Sequence, residues 1–374
     1  MIRDARLADL DALVALEDSC FEIDRFNRRQ FRYMITRAQG RLLVDERRGT
    51  LIGYAQVLFR RGTSLARLYS IAVDPRARGK GAGRDLLEAA ERAASEAGCA
   101  YLRLEVRRDN VESIRLYRNA GFRKLGEVGD YYEDGMEALR YEKALAPRLS
   151  PKLVRVPYYE QTLDFTCGSS ALMMAMKALD RTVRFSRTLE LRLWRESTTV
   201  FMTSGHGGCG PFGLALSAVS RGFSAEVFVN DRGVPFLDSV RNEEKKEVMR
   251  LAHEDMLAQV RKLGVPIRYG KATIDGIESK FKSGAVPIVL ISLYHFYEQK
   301  VPHWVVVTGF EQRFVYVNDP FIDRKREHTR TDCINMPIAK GDFQRMSRYG
   351  RAGLQAVVFI SKRSRTKPRA VGQD

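Results

Sequence analysis

The run SIAVDPRARGKGAGRDLL, residues 70–87, decides how the N-terminal half is read. Ile71, Ala72 and Val73 suit a strand, Asp74-Pro75 breaks it, and Leu86-Leu87 opens the apolar stripe of a helix. Between them lie Gly79, Gly81 and Gly83. Glycines remove side chains where backbone N–H groups must converge on phosphate oxygens, and the helix N-terminus adds partial positive charge. Arg76, Arg78, Lys80 and Arg84 strengthen such an anion site around Ala82. No Ser or Thr follows the Gly-Lys pair, so this is not the Walker pattern. Taken alone, the run is equally a plain strand-to-helix connection, and its neighbours must decide.

Those neighbours alternate. Leu10, Leu13, Val14 and Leu16 form a helical stripe within Asp9–Asp18. Asn27 and Gln30 make a capping pair before a second helix through Phe31, Met34 and Ile35. Strands are predicted at Arg41–Asp45, Leu51–Phe59 and Leu68–Val73. A helix over Gly83–Ala97 stops at Gly98. Strand Tyr101–Val106, a short helix at 112–120 and a last strand pair complete an α/β unit around a mixed sheet.

In that order, RGKGAG (78–83), the strand LRLEV and RRDNVESIRLYRNAGF (107–122) resemble the GNAT acyl-CoA-dependent N-acetyltransferases. The match covers roughly residues 1–146 and is most similar to the RimI-type enzymes, which acetylate protein N-terminal amines. The resemblance implies the α/β GNAT fold, a mixed central sheet flanked by helices, with acetyl-CoA as cofactor. The turn from Arg78 through Gly79, Lys80, Gly81, Ala82 and Gly83 to Arg84 would hold the pyrophosphate. Ile71, Ala72 and Val73 would pair with the pantetheine amides, and Asn110 would hydrogen-bond the cofactor.

The chemistry requires a base for the incoming ammonium and an acid for the departing thiolate. Glu105, across its strand from Leu102, Leu104 and Val106, fits the base, and Tyr117 the acid. Without the family, Glu105 reads as a solvated strand glutamate and Tyr117 as a core aromatic. Tyr131 and Tyr132 match an aromatic pair of the acceptor groove, and core packing explains them nearly as well. RimI-type enzymes carry Trp-Ser before the second helix where this chain has Arg25, Phe26 and Asn27, which leaves the acceptor open.

A second site begins at VPYYEQTLDFTCGSSALMMAMKALD (156–180). Cys167 stands where an extended segment meets an apolar helix, and a helix N-terminus favours a thiolate. Gln161 offers an amide to an oxyanion hole. Far downstream, HWVVVTGFEQRFVYVNDP (303–320) reads as two adjacent strands. An antiparallel pair would bring His303, at the start of one, to Asp319, at the end of the next. That is nucleophile, base and orienter. Singly, each is a buried thiol or an ordinary histidine; jointly the pattern resembles papain-like peptidases, and most nearly the bacteriocin-processing cysteine peptidases that remove double-glycine leaders. The resemblance implies an α+β papain-like domain with Cys167 as nucleophile, His303 as base, Asp319 as orienter and Gln161 as oxyanion donor. A retained, non-catalytic peptide-binding cleft is the alternative reading.

The organisation follows: residues 1–146, a connection at 147–153, a second domain at 154–360 and a basic tail, SKRSRTKPRA and beyond (361–374), read as unstructured. Of 374 residues, 63 are Lys or Arg and 46 Asp or Glu, a net charge of +17. Counted from the sequence, +4 belongs to residues 1–146 and +13 to the remainder. The charge admits a ribosome or RNA partner, but no RNA-binding motif supports it; a protein or peptide substrate is the expectation. Five scattered cysteines without a CxxC argue against a disulfide framework. GHGGCGPFGL (205–214) offers His206 and Cys209, far short of a zinc set. The run Ala285–Leu293 is too short to span a membrane, and no signal peptide is visible, so a cytoplasmic protein is expected.

Overall fold

A computed structural model describes residues 1–146, 149–198, 207–326 and 328–363, and its contacts divide the chain into Met1–Ser150 and Pro151–Asp374. The first unit runs β1 (Ile2–Asp4), α1 (Leu10–Cys20), α2 (Arg28–Thr36), β2 (Gly40–Arg47), β3 (Thr50–Arg60), β4 (Leu65–Val73), α3 (Ala82–Glu96), β5 (Tyr101–Arg107), α4 (Val111–Asn119), β6 (Arg123–Val128) and β7 (Ala138–Ala144). Its sheet has the order β1-β2-β3-β4-β5-β7-β6, antiparallel except where β4 lies beside β5.

Strand alternation assigns the two faces. Ala55, Val57, Ala66, Leu68, Leu102 and Leu104 pack with Leu86, Leu87 and Ala90 of α3 and Tyr117 of α4. Leu42, Val44 and Tyr54 pack with Leu10 and Leu13 of α1 and Phe31 and Met34 of α2. The result is the mixed sheet flanked by helices that the pattern predicts. α2 opens with the reciprocal cap: Asn27 Oδ1 accepts from the Gln30 N–H, and Gln30 Oε1 from the Asn27 N–H.

The second unit runs β8 (Lys152–Leu153), α5 (Cys167–Leu179), α6 (Arg187–Ser197), α7 (Pro211–Val219), β9 (Phe223–Val229), α8 (Glu243–Lys262), β10 (Ile267–Tyr269), α9 (Ile274–Lys282), β11 (Val286–Ser292), α10 (Tyr294–Tyr297), β12 (Pro302–Phe310), β13 (Phe314–Asn318), β14 (Met336–Ala339), α11 (Lys340–Met346) and β15 (Ala356–Lys362). Its sheet has the order β10-β9-β15-β11-β12-β13-β14, with β8 also paired to β12. The last described strand, β15, thus lies inside the sheet, between β9 and β11. One face carries Ile288, Val306 and Val358 against Leu172 and Met176 of α5 and Leu214 of α7. The other carries Val289, Val305 and Val307 against Phe281 of α9 and Phe343 of α11.

Two expectations change. Lys152 and Leu153, assigned to the connection, form β8, and Gly309 of β12 admits them: a Cβ there would lie 2.5 Å from Leu153 Cδ2. Val154–Tyr159, a run that suits a strand once the prolines at 147 and 151 are passed, joins no strand. Pro157 has no N–H to give a ladder, and the segment is held from the side instead, by Asn318 Nδ2 donating to the Val156 carbonyl and Tyr158 Oη to that of Asp319. The apolar run Ala285–Leu293 is the buried strand β11. His206 and residues 364–374 of the tail lie outside the described residues. Among the described residues no group of three His, Cys, Asp or Glu could hold a metal ion, and no helix is long and apolar enough to cross a membrane.

Candidate active sites

In the first unit the sheet is wedged open where an extended ligand could enter it. The parallel ladder runs from Leu65 opposite Tyr101 to Leu68 opposite Leu104 and goes no further. Across β3 the register shifts at the same level, Val57 facing Leu68 but Gln56 facing Ser70, so Tyr69 bulges. Beyond the bulge, Ile71, Ala72 and Val73 continue along β3 while diverging from β5.

The chain then turns through Gly79 (φ 74°) and Gly81 (φ 87°) into α3. Only glycine adopts these conformations without strain. Nothing lies within 4 Å of where a Cβ would stand on either, and no side chain caps the first turn of α3. Open space facing uncapped N–H groups, with Arg78, Lys80 and Arg84 alongside, fits the pyrophosphate of CoA. Arg78 Nε donates to the Val73 carbonyl at 3.2 Å, tying the turn back to β4. Asn110 has a local role that its motif did not reveal: its Oδ1 caps α4 by accepting from the Ser113 N–H, leaving Nδ2 to face a ligand.

Glu105 lies on the sheet face opposite α3, and it is not the solvated glutamate of the alternative reading. Arg67 Nε donates to its Oε2 at 2.8 Å, with both side chains 4% exposed. Its Oε1 is buried with no hydrogen-bond partner among the described residues. A second arm of Arg67 donates to Tyr131 Oη at 2.8 Å, and Tyr132 packs edge-on against Tyr131. Tyr117 is buried in α4, and burial pushes its phenol above the usual range.

The second unit brings its distant residues together. β12 and β13 pair antiparallel, Val306 facing Asn318, which sets Asp319 beside His303. Asp319 Oδ1 meets His303 Nε2 at 2.7 Å, and both side chains are buried. Asp319 is itself fixed, its Oδ1 accepting from the Phe321 N–H and its Oδ2 from Tyr297 Oη. Burial alone would depress the His303 imidazole. The charges of Asp319 and Cys167, and the hydrogen bonds to both, outweigh it and push the pKa up to about 10. The Cys167 sulfur hydrogen-bonds the same imidazole.

Cys167 is the first residue of α5. Gly168 follows because a Cβ there would lie 2.6 Å from Cys209 Cβ and 3.1 Å from Trp304 Cδ1. Trp304 Nε1 donates to the Cys209 carbonyl at 3.0 Å, closing the floor beneath the cysteine. Cys209, offered as half of a metal pair, is a packing residue whose thiol burial pushes up. Gln161 Nε2 donates to the Leu163 carbonyl at 2.9 Å, leaving one N–H for an oxyanion. Tyr297, behind Asp319, and Arg67, behind Glu105, escaped the sequence reading, since neither belongs to a motif and each acts through a residue that does.

Fold and sites together define a GNAT acetyltransferase domain joined to a papain-like domain. Residues 10–122 match the Acetyltransferase (GNAT) family and residues 156–361 the Peptidase_C39 like family. Matched over more than half its length, the chain belongs to the Peptidase_C39 like family. The first unit is similar to N-alpha-acetyltransferase RimI of Mycobacterium tuberculosis, 33% identical over 129 residues, which are 34% of this chain and 77% of that protein. An uncharacterized protein of Mycobacterium leprae is 34% identical over 33% of this chain and 35% of its own length. The ribosomal protein bS18-alanine N-acetyltransferase of Escherichia coli is 42% identical over 74 residues, 19% of this chain and 50% of that protein. The chain therefore spans half or less of these last two relatives. The first unit is an N-acetyltransferase domain, and acetyl-CoA is its cofactor.

Proposed function

We propose that the first unit acetylates the N-terminal amine of a peptide or protein, and that the second is a cysteine peptidase. The N-alpha-acetyltransferase name of the M. tuberculosis relative supports the acceptor class. Acetyl-CoA supplies an activated acetyl group. Ile71, Ala72 and Val73 offer it backbone pairing in the wedge beside β5, and the 78–84 turn and Asn110 hold its anionic end. Glu105 takes the proton of the incoming ammonium at Oε1, the oxygen left without a partner. Arg67 holds the carboxylate in place through Oε2. Tyr117 keeps its proton at neutral pH and gives it up at Oη to the sulfur that leaves.

In the second unit, the observation that carries the reading is the buried 2.7 Å contact of His303 with Asp319, set against Cys167 at a helix N-terminus. Cys167 attacks a peptide carbonyl, the N–H of Gln161 stabilises the oxyanion, and His303 protonates the leaving amine.

The test incubates the full chain with a mixture of free-amine peptides and acetyl-CoA, and counts acetylated and newly cut ends by mass spectrometry. Glu105→Gln should lower acetyl transfer about 10²–10⁴-fold, and Cys167→Ala should remove the new ends. Undiminished acetylation by Glu105→Gln would refute the base. New ends that persist undiminished with Cys167→Ala would refute Cys167 as the nucleophile, and a wild-type chain that cuts nothing would make the second unit a peptide-binding module.

A further inference from the structure

Glu190, in the first turn of α6, is a carboxylate with no solvent exposure. Among the described residues no Lys or Arg pairs with it; hydroxyl and amide donors surround it instead. Its Oε2 accepts from Tyr159 Oη at 2.9 Å and Thr162 Oγ1 at 2.7 Å. Its Oε1 accepts from the Thr162 N–H at 2.8 Å, Ser170 Oγ at 3.2 Å and Thr166 Oγ1. These donors bracket the two working positions. Tyr159 and Thr162 flank Gln161, while Thr166 and Ser170 flank Cys167. On its far side the same loop is pinned by the Gln161 N–H donating to the Pro320 carbonyl at 2.9 Å, one residue past Asp319.

A buried carboxylate without a cation is costly unless charge-assisted hydrogen bonds replace its water. Core packing alone would be better served by Leu or Met at this place. We propose that Glu190 is the positioning residue of the peptidase site. It anchors the 159–166 loop and the first turn of α5 to α6, so that Cys167 is presented to His303 and the Gln161 amide to the oxyanion. This rests on the peptidase reading above and assigns it a residue that touches neither sulfur nor substrate.

The experiment follows iodoacetamide alkylation of Cys167 in the full chain against pH, by peptide mass spectrometry, with thermal melting as the folding control. Wild type should alkylate in the acid range, as an imidazolium–thiolate pair does. Glu190→Gln keeps the shape and can still accept from the Thr162 N–H. Simply removing a negative charge near Cys167 would favour the thiolate and move the alkylation midpoint down. Lost positioning moves it up by about one pH unit, a tenfold slower reaction on the acid limb. An upward shift in folded Glu190→Gln supports the proposal; a midpoint that is unchanged or lower overturns it. Should Glu190→Gln not fold, Thr162→Val with Tyr159→Phe removes hydroxyl donors while leaving the carboxylate, and the same upward shift is required. A wild-type protein that alkylates only as an ordinary thiol overturns the peptidase reading itself, a result distinct from failure of the Glu190 variants.

Discussion

Asp319 shows how much one side chain sets. It faces the imidazole, receives Phe321 and Tyr297, and has no exposure. Because His303 is raised from 6.5 to about 10, its charged form is favoured in the folded state. The stability it adds is therefore complete below about pH 6.5 and is lost as pH rises towards about 10. Asp319→Asn removes that term, so the margin of wild type over variant should be widest near pH 6 and shrink towards pH 10. The chain's two tryptophans, Trp194 and Trp304, both lie in the second unit, so urea midpoints read by fluorescence isolate it. A margin independent of pH would show that His303 carries no extra proton. The placement of Cys167 at a helix start and of His303 beside Asp319 was legible in the sequence, because a helix start and an antiparallel strand pair both leave a pattern. Glu190 and Arg67 were not. A carboxylate in a helix and an arginine in a strand read as surface until the fold closes over them.

Elements were legible wherever a hydrophobic period was long, as in α3 and α5, and illegible where pairing rather than pattern makes the strand. β8 is two residues held by β12 across a glycine, and no local signal announces it. The turn between β4 and α3 is the opposite case, since its glycines carry its meaning openly. Gly81→Ala meets no neighbour, so its cost is the left-handed φ of 87°, about 1–2 kcal/mol. The N–H groups it orients would serve the proposed pyrophosphate site, so binding should suffer more than folding. Calorimetric titration with acetyl-CoA should show at least a tenfold weaker complex while melting changes by a few degrees. Equal affinities would move the anion site elsewhere.

Each unit of the molecule closes its own sheet over its own core, and the charge follows the same division. The nearly balanced first unit concentrates bases at the glycine turn, where an anionic cofactor has use for them. The larger excess lies with the second unit and the tail, where it suits an acidic peptide at least as well as nucleic acid. A cofactor that binds one unit stabilises that unit by mass action, about 2.7 kcal/mol at a hundredfold excess over Kd. Hydrogen exchange with saturating acetyl-CoA should therefore slow within residues 1–150, most in 69–87, and leave 151–363 unchanged. Equal slowing in both units would mean that the cofactor binds across them.

The position of β15 carries a consequence for how the protein is made. Cys167 leaves the ribosome well before His303 and Asp319, and the strand between β9 and β11 is drawn from residues 356–362, later still. Until it inserts, β9 and β10 have no edge to join, and α5 has only part of the surface it packs on. Long-range closure of this kind is slow and comes late. Cys167 and α5 therefore wait for residues 286–362 before the sheet they pack on is complete.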